Sequence, residues 1–171
     1  MRVVVIRHAI AEDRDDFAKT GRDDAERPLT KEGRRKMRAA AAGLRTLVKR
    51  IDVLATSPLV RARQTAEIVR EAYGGELETA EVPALEPAKP VNAVLHWLQG
   101  QPAEATVGLV GHEPQLGMLV SWLLTGEQRA FVELRKGSAS LLEFDGEVKA
   151  GGAKLAWMLK PSQLRALGGE R

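Results

Sequence analysis

Along the first 125 residues, short apolar runs alternate with stretches in which apolar residues recur at helical spacing. Residues 2–6 form a β-branched run that stops at Arg7-His8, the pattern of a buried strand. Residues 9–28 are polar and rich in acid, and they read as a long loop of the functional or mobile kind. Thr30 opens a helix with Glu32 in its first turn. Met37, Ala40, Ala41, Leu44, Leu47, Val48 and Ile51 give that helix one apolar face. A second strand over 52–56 ends at Ser57-Pro58, and the helix after it carries Leu59, Ala62, Ala66, Val69 and Tyr73 on one side. Gly74-Gly75 ends that helix.

A third strand is predicted over 77–82, then a proline-bounded segment from Pro83 to Pro90 and a helix over 91–99. The run 105–110 is a strand ending at Gly111-His112, and Pro114 starts a helix that reaches Leu124. Beyond Gly126 the pattern changes to strands at 130–134, 139–144 and 153–159, with a turn at Asp145-Gly146 and a short helix after Pro161. Strands alternating with helices imply an α/β fold, a mostly parallel central sheet covered on both faces. The last strands are placed to add an antiparallel edge, and the 171 residues fit one domain, 1–171.

Composition narrows the function classes. With no cysteine, disulfides and thiolate metal sites are excluded. The net charge of +3 is small for a nucleic-acid binder, and 4% aromatics leave little for base stacking. The basic run Lys31–Arg38 falls on the predicted helix and reads as its solvated face. The apolar stretch 116–124 is half a membrane span, and the first residues turn acidic too soon for a signal peptide. A cytoplasmic protein that binds neither nucleic acid nor membrane is the expectation.

In a parallel α/β sheet, ligands bind beyond the carboxyl ends of the strands. Three predicted strand ends carry the chemistry: Arg7-His8, then Ser57-Pro58 with Arg61 in the following helix, then Gly111-His112. Two histidines and two arginines would meet beside helix N-termini, whose free N–H groups favour anions. Arginine matches phosphate oxygens bidentately. A neutral histidine can attack phosphorus while a second stabilises the developing charge, so neither metal nor cofactor is required. Ser57 reads as a helix cap, Arg63 as a surface charge, His96 as a packing or surface position, and Met118 and Trp122, at helical spacing, as core.

Four segments in this order resemble the histidine phosphatase superfamily, the phosphoglycerate mutase-like proteins. They are Arg7-His8-Ala9, Arg27-Pro28-Leu29-Thr30 with Gly33, the run from Ser57 to Ala66, and Gly111-His112-Glu113-Pro114. The resemblance spans about residues 1–145. It implies a three-layer α/β/α sandwich in which His8 becomes phosphorylated while Arg7, Arg61 and His112 hold the phosphoryl group. Ala9 stands where most of the superfamily has glycine; with the short chain, it is more similar to the SixA-type phosphohistidine phosphatases. The implied substrate is a phosphohistidine-bearing protein. A small phosphorylated substrate, cleaved by a phosphomonoesterase or pyrophosphatase, remains the alternative, as does a phosphate-binding module without turnover. The proton donor stays open between Glu113, Glu86 and none, because imidazole leaves without the help an alkoxide needs.

Overall fold

The computed structural model describes residues 1–170. Six strands form one sheet: β1 (Arg2–Arg7), β2 (Val53–Thr56), β3 (Glu78–Glu81), β4 (Thr106–Gly111), β5 (Ala139–Glu143) and β6 (Lys154–Leu159). Their order is β3-β2-β4-β1-β5-β6. The first four run parallel, and β5 and β6 add the antiparallel edge. Six α-helices complete the fold: α1 (Arg14–Ala18), α2 (Lys31–Leu47), α3 (Val60–Ala72), α4 (Val91–Gln99), α5 (Gln115–Thr125) and α6 (Pro161–Leu167). Among the described residues no helix is long and apolar enough to cross a membrane.

The pleat of β1 explains the three layers. Val3 and Val5 join a core cluster that includes Val94, Leu98, Leu116 and Leu119 of α4 and α5. Val4 and Ile6 join the opposite cluster with Met37, Leu44, Ala62 and Leu164 of α2, α3 and α6. A strand buried on both faces needs apolar residues at every position, which is why 2–6 reads as a run rather than an alternation. Contact between α2 and α6 depends on Gly43, where a Cβ would come within 1.8 Å of the Leu164 carbonyl oxygen.

Three expectations need correction. Residues 130–134 form no strand. Two of their amides are satisfied by side chains instead of a ladder: Phe131 N–H donates to Ser121 Oγ at 3.1 Å and Leu134 N–H to Glu113 Oε1 at 2.9 Å. The acidic segment 9–28 is not simply a loop. Asp13 caps α1 and Asp23 caps a 3₁₀ turn over Asp24–Glu26. An isolated bridge between Ala11 and Leu29 closes its base. Finally, α2 stops at Leu47, so Ile51 is buried from the connection into β2 rather than from the helix.

Candidate active site

The strand order places the chemistry. β2, β4 and β1 are neighbours, with Thr56 opposite Val110 and Arg7 opposite Gly111. The residues that follow these strands, Ser57, His112 and His8, therefore leave the sheet side by side. His8 N–H donates to the Gly111 carbonyl at 3.1 Å and Ser57 N–H to that of Val110 at 3.0 Å, so the backbone stays paired past the strand ends. The two imidazoles sit with ring centroids 5.1 Å apart. Arg7, His8, Arg61 and His112 all line one cavity of about 410 Å³. All four predicted site residues are thus brought together.

His8 is buried, and its Nδ1 lies 2.7 Å from the Ala9 carbonyl oxygen. A carbonyl only accepts, so Nδ1 carries the proton and the lone pair is on Nε2. The turn is fixed from three sides. Ala9 N–H donates to Thr65 Oγ1 at 3.0 Å, and Thr65 donates to the Arg61 carbonyl at 2.7 Å. Gly137 N–H bonds the carbonyls of Arg7 and His8, each at 3.1 Å. Gly137 has φ +80°, a backbone conformation that a side chain would strain.

Burial pushes the His8 pKa down to about 3, despite the Ala9 carbonyl, and Arg61, Arg7 and Lys136 push the same way. His112 is also pushed down to about 3, by burial first and then by His8 and Arg61. Both rings are neutral at pH 7. His112 Nε2 lies 2.8 Å from Ser57 Oγ, which also accepts the Leu59 N–H at 3.3 Å. A serine hydroxyl donates as well as accepts; when Ser57 donates to Nε2, the His112 proton sits on Nδ1, a buried atom with no protein partner. Ser57 therefore orients His112 as well as the turn into α3.

The cavity is strongly cationic. Arg14, Arg27 and Lys136 line it beside Arg7 and Arg61, against Glu12, Asp13 and Glu113. Arg7 Nη1 donates to the Leu134 carbonyl at 2.6 Å. Arg61 Nη1 donates to the Asp24 carbonyl at 2.8 Å, and Nη2 pairs with Asp24 Oδ2 at 3.1 Å. The Nε atoms of both arginines are buried without a partner, a cost that a bound anion would relieve. Among the described residues no group of three or more His, Asp or Glu is placed to hold a metal ion.

Of the two candidate proton donors, Glu113 lines the cavity and Glu86 does not. Burial raises the Glu113 pKa, although the amides of Leu134 and Gly117 both donate to its carboxylate. Arg63 pairs with Glu81 at 3.5 Å, well away from the site, and His96 is exposed on α4. Arg27, Asp24 and Lys136 were not singled out from the sequence. Arg27 had a signal, its place beside Pro28, Leu29 and Thr30 in the run that resembles the superfamily.

Fold and site together place two neutral histidines beside a set of arginines in one cationic cavity at the ends of the parallel strands. A model of the histidine phosphatase superfamily (branch 1) matches residues 3–86. The chain belongs to that superfamily. An uncharacterized protein of Picosynechococcus sp. is 36% identical over 138 residues, 80% of this chain and 81% of the relative. The phosphohistidine phosphatase SixA of Escherichia coli is 28% identical over 167 residues, 96% of this chain and 97% of the relative. The solved structure of the protein histidine phosphatase SixA complexed with tungstate superposes with a TM-score of 0.81 at 28% identity, covering 96% of this chain and 99% of that one.

Proposed function

We propose that this chain is a phosphohistidine phosphatase that works through a phosphoenzyme on His8. The observation that carries the reading is the state of His8: neutral, its proton tied to the Ala9 carbonyl, its Nε2 lone pair free beside His112 and the arginines. Similarity to SixA over nearly the whole of both chains supports the substrate class. So does the superposition on a SixA structure holding tungstate, a tetrahedral oxyanion like phosphate.

In the first step the His8 Nε2 lone pair attacks phosphorus as the P–N bond to the substrate imidazole breaks. The bonding pair stays on the leaving nitrogen, which takes a proton from solvent water. Arg7 and Arg61 offer N–H groups to the equatorial oxygens, and His112 donates its Nδ1–H, so charge is stabilised where it develops. In the second step water attacks the phosphorus of phospho-His8, the P–Nε2 bond breaks, and inorganic phosphate leaves with the lone pair restored. An imidazole leaving group asks little of a general acid, which suits a site whose cavity-lining carboxylate, Glu113, is held by two backbone amides.

The test compares a phosphohistidine protein with p-nitrophenyl phosphate as substrates. Preference for the first, with an acid-labile phosphoenzyme that disappears in His8→Ala, is the expected result. Substantial turnover by His8→Ala would overturn the nucleophile, and preference for the phosphomonoester would overturn the substrate class.

A further inference from the structure

The acidic segment before α2 delivers one carboxylate into the arginine set. Asp24 Oδ1 accepts from Arg27 Nε at 2.7 Å and lies 3.7 Å from Arg14 Nε, while Oδ2 meets Arg61 Nη2 at 3.1 Å. Its backbone carbonyl takes Arg61 Nη1 as well. Arg61 and Arg27 are almost fully buried, with side chains 2% and 8% exposed, whereas Asp24 is 40% exposed. Two buried guanidinium groups in one anion cavity repel each other and are costly to desolvate. A carboxylate shared between them offsets both effects, and it also occupies N–H groups that a phosphate would otherwise claim.

We propose that Asp24 is a positioning residue that sets the strength of the phosphate site, holding Arg61 and Arg27 in place while withdrawing part of their charge so that inorganic phosphate is released. The inference rests on the phosphatase reading above. Arg61 keeps its Nε–H and the second protons of its Nη atoms for substrate, so Asp24 moderates the site without closing it. The lowered pKa of Asp24 agrees: burial opposes ionisation, but Arg27 and Arg61 outweigh it and keep the carboxylate charged.

Asp24→Asn separates charge from support. The amide retains one acceptor for Arg27, and the backbone carbonyl still holds Arg61. Inorganic phosphate and tungstate are titrated calorimetrically into the wild type, Asp24→Asn and Asp24→Glu, with KM and kcat for p-nitrophenyl phosphate measured in parallel. Asp24→Asn should bind both anions about tenfold more tightly, equivalent to ~1.4 kcal/mol, with KM falling alongside. Asp24→Glu keeps the charge and should not tighten binding. A purely structural role predicts weaker binding in Asp24→Asn, and that result, unchanged binding, or equal tightening in Asp24→Glu would overturn the inference. Failure of the wild type to bind either anion would instead overturn the phosphatase reading itself. Thermal unfolding of each variant checks that the fold is kept.

Discussion

Thr65→Val tests how the nucleophile is held. The hydroxyl of Thr65 is fully buried, accepting the Ala9 N–H and donating to the Arg61 carbonyl. The Arg61 carbonyl keeps its helical partner when the hydroxyl is gone, because residue 65 still donates its backbone N–H one turn along α3. The Ala9 N–H has no such substitute, and an orphaned buried donor costs about 1–3 kcal/mol. Valine has nearly the shape of threonine but not its hydroxyl, so no large cavity term is added. The expected loss is therefore about 2 kcal/mol, which for a chain of this size lowers Tm by roughly 4–8 °C. Thr65→Ser keeps the hydroxyl and should lose less than about 1.5 kcal/mol, the cost of one buried methyl. The same change acts on chemistry. The Ala9 carbonyl that orients His8 is one peptide further on, and a nucleophile displaced by a fraction of an ångström loses its in-line approach. Turnover of p-nitrophenyl phosphate should fall about tenfold or more in Thr65→Val and much less in Thr65→Ser. Urea denaturation and initial-rate kinetics on the three proteins give both answers. If Thr65→Val matched the wild type in stability and turnover, the bond to Ala9 would be contributing nothing.

Other tests address separate parts of the site. Because His8 and His112 titrate near 3 in the fold and near 6.5 when unfolded, the unfolded chain binds more protons below pH 6.5 and stability falls as pH drops. Between pH 7.5 and 5.0 the two rings together should cost about 3–4 kcal/mol. Urea midpoints should follow that slope and flatten in His8→Gln; a flat wild-type profile would contradict the neutral pair. Gly33→Ala should be severely destabilising, since a Cβ there would sit 2.0 Å from the Ile10 carbonyl oxygen, with backbone on both sides of the clash. A thermal midpoint within 2 °C of wild type, below what even ~1 kcal/mol would produce, would mean that the two segments separate easily. Glu113→Gln should lower turnover equally on phosphohistidine and phosphomonoester substrates, because the carboxylate is engaged by backbone amides, with Leu134 N–H on its Oε1 at 2.9 Å. A loss confined to the phosphomonoester would make Glu113 its proton donor instead.

What the sequence made legible, and what it did not, divides along the range of the interactions. β1, β2 and β4 were readable because a strand buried on both faces must be apolar throughout, and their ends marked His8, Ser57 and His112. Parallel pairing then places those three ends on one edge, so the four site residues could be named before any coordinate. Residues 130–134 have the composition of a strand, yet their amides bond Ser121 and Glu113, residues about ten and twenty positions earlier that no local pattern connects to them. Ile51 lies on the apolar face that a longer α2 would have; the core accepts it from the turn just as well, because burial does not depend on which element delivers a side chain.

Asp24 is the most instructive omission. In the sequence it is one of seven acids between residues 12 and 26, and nothing distinguishes it from Asp23, which caps a 3₁₀ turn, or Asp13, which caps α1. Its role appears only when the bridge from Ala11 to Leu29 folds the segment back and sets it against Arg61, 37 positions along the chain. The segment's acidic, polar composition reads as a long loop. Instead its two capping acids build the short helices that aim the third at the arginines. A charge that neutralises a site from outside its motifs escapes a search for motifs, because the motif lists the groups that touch phosphate and not those that temper them.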